Sequence, residues 1–113
     1  SMPVRGVRRR YMAILVHSDE EIVGSSLFNS IERKIHFLYG VVGSTRINYK
    51  PIDYHDKVAI IRCNHLSLPQ MRTVIAHIQK VDDTPVMLQV LRVSGTLKTL
   101  RKKVAQNLSK KRE

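Results

Sequence analysis

The chain has 113 residues, 42% of them hydrophobic, a single cysteine and a net charge of +11. That is room for one domain with a real core, and it excludes an internal disulfide. No apolar run approaches the roughly 18–20 residues needed to cross a bilayer, and the start lacks a signal-peptide core, so a soluble intracellular protein is expected.

Ser1-Met2 reads as a remnant of tag removal and is set aside. Val7 to His17, VRRRYMAILVH, predicts a strand whose second half is apolar on both faces, as suits a central position in a sheet. From Asp19 to Tyr39 the residues Val23, Leu27, Ile31, Ile35 and Leu38 recur at helical spacing, and Gly40 supplies a stop. Ser18 and Glu21 have the spacing of a capping box, with Gly24-Ser25-Ser26 offering a later start. The stretch STRINYKP alternates and predicts a strand; Pro51 restricts it to a sheet edge, with Arg46, Asn48 and Lys50 on one side as solvated surface in preference to an RNA contact. Lys57 to Cys63, KVAIIRC, predicts a buried strand, joined to its predecessor by a turn near Asp53 to Asp56. Ser67 and Gln70 pair as a capping box with Pro69 in the first turn, and Met71, Val74, Ile75 and Ile78 make one apolar stripe, a second helix. VDDTP turns the chain, and VMLQVLRV gives a fourth strand.

This order predicts an α+β domain over residues 1–113 with the β-α-β-β-α-β pattern of ferredoxin-like folds: a four-stranded antiparallel sheet with helices on one face and an additional C-terminal helix. Residues 1–6 are expected to form a flexible basic arm and 109–113 a flexible basic tail. The sheet face without helices must be covered, or must bind something.

The charge is concentrated at the ends. Residues 1–10 carry Arg5, Arg8, Arg9 and Arg10 with no acid, and residues 92–113 carry eight cations against Glu113, while the stretch between is neutral. Clustered Lys and Arg gain free energy by releasing counterions from a phosphate backbone, so a nucleic acid is the expected partner. The termini lack the bulky apolar face of a membrane-surface helix, and a charged surface kept for solubility is the plain alternative.

The stretch LRVSGTLKTLRKKV carries the sharpest signal. A strand gives way at Ser94-Gly95-Thr96 to a helix whose Leu97, Leu100, Val104 and Leu108 share a stripe, with Lys98, Lys102 and Lys103 opposite and Arg101 at the boundary. Gly95 suits a bend that would strain a residue with a Cβ, and Ser94 or Thr96 suits the helix cap. Cations in a first helical turn cost a few tenths of a kcal/mol up to about 1 kcal/mol each against the helix dipole. Their presence there points to an anion served by Lys98 and the amides of the turn. Arg8, Arg9, Arg10, Arg92, Lys98, Arg101, Lys102 and Lys103 are therefore the candidate phosphate contacts, with Ser94, Gly95 and Thr96 shaping the turn.

RRYMAILV, FLYGVVGS, VAIIRCNH and above all LRVSGTLKTLRKKV resemble the processing-of-precursor subunit five (Pop-five) family of ribonuclease P, from about Arg8 to Lys103, and in compactness its archaeal members. The resemblance implies a ferredoxin-like fold and a non-catalytic protein that supports a catalytic RNA in removing the 5′ leader of precursor tRNA. It also implies a thirty-kilodalton barrel-type protein partner, with two copies of each subunit in archaeal assemblies. No cofactor is expected on the protein itself; Mg2+ is expected with the RNA of the holoenzyme.

Other readings fit less well. An RNA-recognition motif stacks bases on aromatics of its central strands, but here the third strand has none and the first only Tyr11. Val4 to Arg10 faintly resembles the phosphate loop of acylphosphatases, yet it precedes the first strand instead of following it. Gly40-Val41-Val42-Gly43 has the outline of a KH-domain clamp but reads as a turn, with a protein contact through Val41 and Val42 as a further use. Cys63 and the five histidines show no metal-ligand spacing, and Asp53 to Asp56 is a turn before it is an acid-base set. A general RNA-binding module remains the alternative function.

Overall fold

A computed structural model describes residues 8–112, with side chains as far as Leu108. The elements are β1 (Arg9–His17), α1 (Gly24–Ile47), β2 (Lys50–His55), β3 (Val58–Asn64), a 3-10 turn (His65–Ser67), α2 (Leu68–His77), β4 (Lys80–Val81), β5 (Thr84–Pro85), β6 (Met87–Ser94) and α3 (Leu97–Arg112). The main sheet is antiparallel in the order β2-β3-β1-β6, the ferredoxin-like arrangement, and β4–β5 is a separate short hairpin. Residues 1–6 of the expected arm, and the side chains of the expected tail, lie outside the described residues.

Alternation along β1 divides the core. Met12, Ile14 and Val16 point to one face, where they meet Leu27, Ile31 and Ile35 of α1 and Met71, Val74 and Ile75 of α2. Tyr11, Ala13 and Leu15 point to the other, where Val58 and Ile60 of β3 and Leu100 and Val104 of α3 complete a second cluster. The stripe predicted for α3 is the surface that packs, with Leu97 and Leu108 at its ends. Both sheet faces are thus covered, and the structure is three layers deep.

Two bulges shape the α3 face. Between Ala13 and Ile14 the register against β6 shifts from Arg92 to Val90, so Leu91 is the extra residue. Leu91 joins the α3 cluster beside Arg92, so two consecutive side chains lie on one face. A second bulge, between Pro51 and Asp53, does the same for Ile52 and Asp53 on the edge strand β2.

The expected second strand is displaced. Gly40 does take a left-handed conformation, φ 69°, but it kinks α1 instead of ending it, and the helix resumes to Ile47. Ser44 Oγ and His36 Nε2 share a hydrogen bond of 3.2 Å across the kink, and Thr45 Oγ1 donates to the Val41 carbonyl at 3.0 Å. Asn48, at φ 52°, then closes the helix by donating its amide to the Ser44 carbonyl. Arg46, Asn48 and Lys50 therefore do not share a strand: the first is helical, the second a cap, and only Lys50 belongs to β2. The connection to β3 is a two-residue turn, Asp56-Lys57, with φ 50° and 66°. Asp53 to His55 are strand residues.

Neither capping box forms. The Ser18 hydroxyl accepts from the Glu20 amide at 3.2 Å in the loop before α1, whose N-cap is Val23. Ser67 Oγ donates to the Arg46 carbonyl at 3.4 Å, tying α2 to the end of α1, and Gln70 Oε1 is buried without a hydrogen-bond partner among the described residues.

Candidate nucleic-acid interface

The site grows from one end of the sheet. Tyr11 pairs with Ser94, so the start of β1 runs beside the end of β6 and delivers Arg10 to the turn that opens α3. Arg10 Nη1 donates to the Arg9 carbonyl at 3.1 Å and lies 3.6 Å from where a Cβ on Gly95 would stand. Arg9 pairs with Asn64, and the Arg8 carbonyl accepts from the His65 amide at 2.9 Å, which fixes this basic strand to the end of β3. Arg8 and Arg9 are exposed and Arg10 half-buried.

The turn itself is capped internally. Ser94 Oγ accepts from the Thr96 amide at 3.4 Å, Thr96 Oγ1 accepts from the Thr99 amide at 3.2 Å, and the Thr96 carbonyl accepts from Leu100 at 3.1 Å. Thr96 is thus the N-cap, and its own amide is not free for an anion; the open amides belong to Leu97 and Lys98. Gly95 departs from expectation as well. Gly40 is the one described glycine with positive φ, and a methyl on Gly95 would meet only Arg10 Nη1, at ordinary contact distance. The fold does not require a glycine there.

Among the described side chains, the cations on and beside α3 divide into free and tethered. Lys98 and Lys102 are exposed and Lys103 is half-buried. Arg101 Nη2 lies 3.6 Å from Asp53 Oδ2, both side chains about half exposed, an ion pair worth at most a fraction of a kcal/mol. Arg92 Nη2 donates to Asn107 Oδ1 at 3.2 Å. These two arginines clamp α3 to opposite edges of the sheet while leaving the rest of each guanidinium outward.

Two cations of this region, Lys50 and Arg62, lie outside the phosphate contacts expected from the sequence. Lys50, Arg62, Tyr11 and Ser94 pair in that order across the four strands, on the α3 face. Alternation in VAIIRC sets Arg62 on the same side as Val58 and Ile60, a signal masked by the apolar residues on both faces of the strand. The strand expected from Ser44 begins six residues later, at Lys50.

The opposite end of the sheet is acidic. Asp19, Glu20, Glu21 and Asp56 line a cavity of about 620 Å3 with Tyr54 and Lys57. Glu20 Oε2 accepts from Thr84 Oγ1 at 3.2 Å, and burial together with the Glu21 charge raises the Tyr54 pKa. His55 pairs with Asp56 at 3.3 Å in the exposed turn. Among the described residues no three His, Cys, Asp or Glu side chains converge to hold a metal. The Cys63 thiol is sealed in the core, where burial pushes its pKa up to about 11. Around the α1 kink, by contrast, Phe37, Val41 and Val42 are 81%, 76% and 68% exposed, and Lys34 Nζ sits 5.4 Å from the Phe37 ring centroid.

The family model for Rpp14/Pop5 matches residues 10–105, from the basic strand through most of α3. The chain belongs to the Rpp14/Pop5 family of ribonuclease P protein components. Ribonuclease P protein component 2 of Methanosarcina mazei is 26% identical over 106 residues, covering 94% of this chain and 91% of the relative. The component 2 of Methanococcus aeolicus is 27% identical over 96 residues, covering 85% and 71%. Among solved structures, a chain of yeast ribonuclease MRP superposes with a TM-score of 0.66 at 18% identity, over 93% of this chain and 94% of that one, a likeness of fold. The Rpp14/Pop5 match spans both helix layers, so the first half of α3, with Lys98, Arg101, Lys102 and Lys103, lies within the family domain and is not an appendage to it. No helix among the described residues is long and apolar enough to cross a membrane.

Proposed function

We propose that this chain supports the catalytic RNA of a ribonuclease P in removing 5′ leaders from precursor tRNA, by neutralising phosphates of the folded RNA. The observation that carries this reading is the placement of Arg10 against the Ser94–Lys98 turn, with Arg8 and Arg9 beside it on the same end of the sheet, remote from the acidic cavity. Lys98, Lys102 and Lys103 extend that surface along α3, and Arg92 and Arg101 orient it. Charge neutralisation there lowers the Mg2+ concentration at which the RNA reaches its active form; the chemistry stays with the RNA and its metal ions.

The exposed Phe37, Val41 and Val42, on the layer away from α3, suit a protein partner, and the thirty-kilodalton barrel-type subunit is the partner assigned to them, with paired copies of each in the assembly. The relatives are archaeal, so the proposed setting is cytoplasmic.

Reconstitution tests the reading. Adding the chain, with and without the barrel-type subunit, to the cognate ribonuclease P RNA should stimulate precursor-tRNA cleavage and shift its Mg2+ requirement downward. If about six phosphates are engaged, the log–log dependence of affinity on salt should have a slope of magnitude about 4–5. A flat salt dependence would reject the phosphate contacts. Tight binding with no stimulation in either assembly would leave a general RNA-binding module.

A further inference from the structure

The pairing of Lys50 with Arg62 is hard to explain from the fold alone. They stand directly opposite each other on β2 and β3, which brings their Cβ atoms to about 5 Å. Like charges so placed are destabilising, and the chain could have removed the cost with a carboxylate. It does so nearby, where Asp53 faces Arg101. Neither Lys50 nor Arg62 has an ion-pair partner among the described residues, and Arg62 Nε is shielded from solvent without a hydrogen bond.

The position of the pair says what could compensate it. Arg62 is followed across the sheet by Tyr11 and Ser94, a row three strand spacings wide, about 14 Å. The buried contacts of α3 lie further in, on Ala13, Val58 and Ile60, so the helix does not roof the outer end of the row, where Lys50 is exposed. Arg9 and Arg10 occupy the next positions of β1 toward the rim.

We propose that Lys50 and Arg62 form a second phosphate-binding shelf, on which a strand of RNA crosses the end of the sheet from the α3 turn toward the β2 edge. The inference rests on the phosphate-binding function proposed above and extends it from the two basic ends of the chain to a neutral part of the sequence. The tolerance of Tyr11 for one half-exposed edge beside Arg62 suits a sugar-phosphate chain passing over it, while its packing against the α3 cluster keeps the ring from serving as a stacking platform.

A variant with opposite effects on folding and binding tests the shelf. Lys50 is exposed on an edge strand, so Lys50→Gln should leave the fold intact and, by relieving the repulsion, raise the melting temperature of the free protein by about 1–4 °C. The same change should weaken binding to ribonuclease P RNA about three- to tenfold and reduce the magnitude of the salt slope by about 0.7. Lys50→Glu, which sets opposite charges face to face, should exaggerate both effects. A higher melting temperature with unchanged affinity and slope would overturn the proposal, because the pair would then be mere frustration; a lower melting temperature would overturn it by giving Lys50 a structural role. If wild-type protein already shows a flat salt dependence and Lys98→Glu with Lys102→Glu changes nothing, the broader function fails instead, and the two failures are distinguishable.

Discussion

The two faces of the sheet are built from the same strands but to different ends. On one, α1 and α2 bury a continuous core of isoleucine, leucine, methionine and valine, including the fully enclosed Ile31, Ile35, Met71 and Ile75. On the other, among the described residues α3 contributes Leu100 and Val104 as its buried side chains and the partly buried Leu97 and Leu108, and polar links add to these: Arg101 to Asp53 at one edge, Arg92 to Asn107 at the other. A fully buried aliphatic side chain stabilises by about 1.5–3 kcal/mol, a half-exposed ion pair by well under 1. The first layer therefore holds the fold, and the second presents charge with only as much packing as its placement needs.

Core truncation should show the largest contrast. Ile31→Ala or Met71→Ala should cost about 2–5 kcal/mol in denaturant unfolding, and Leu100→Ala should fall at or below the low end of that range, because the smaller α3 cluster lets the helix settle into the space. Equal losses would erase the distinction between the layers. The reverse asymmetry is expected for binding: joint Lys98→Glu, Arg101→Glu and Lys102→Glu should weaken RNA binding on the order of a hundredfold while the circular-dichroism spectrum stays unchanged. A collapse of helicity there would make α3 structural after all.

Smaller effects sharpen the comparison. Cys63 lies on the α1/α2 side, and its thiol has a pKa of about 11 against an ordinary 9.0 because burial disfavours the thiolate. The folded state therefore holds this proton more tightly than the unfolded chain. Its contribution is fully present below pH about 9 and is lost as pH rises through about 11, by roughly 1–3 kcal/mol. Tyr49, raised by burial and by Glu32 and donating its hydroxyl to the Phe28 carbonyl at 3.3 Å, acts in the same direction. Unfolding followed from pH 8 to pH 11 measures the fall, and labelling of Cys63 at neutral pH should keep pace with global unfolding. Last, Thr96→Ala should cost about 1 kcal/mol through loss of the cap, whereas Gly95→Ala should change stability by no more than about 0.5 kcal/mol. If Gly95→Ala nevertheless weakens RNA binding, the backbone there is approached by the ligand.

Periodicity revealed the order of the elements because each long segment repeats cleanly: Leu27, Ile31 and Ile35 on α1, Met71, Val74 and Ile75 on α2, Leu100 and Val104 on α3. It failed at Ser44–Lys50, where a helix end, a left-handed cap and the first strand residue imitate alternation. Only tertiary contacts decide that case: Ile47 is buried in the helical core, and the Ser44–His36 bond carries the helix past Gly40. The capping-box spacings at Ser18 and Ser67 misled for a related reason, since each hydroxyl found a different partner. The α3 turn was legible in sequence because strand, cap and cations are contiguous. Lys50 and Arg62 were not, because their proximity is a property of strand pairing, visible only once the register is known.

The nine residues of β1 separate arginines at its beginning from the Asp19, Glu20 and Glu21 carboxylates just past its end, a span of roughly 30 Å. That spacing gives the molecule a permanent electric moment along the strand. Near any polyanion, within the Debye length of about 10 Å at 0.1 M salt, it experiences a torque before it touches anything. Encounters made cationic end first are thereby enriched, so dilute salt should speed association by more than net charge alone accounts for.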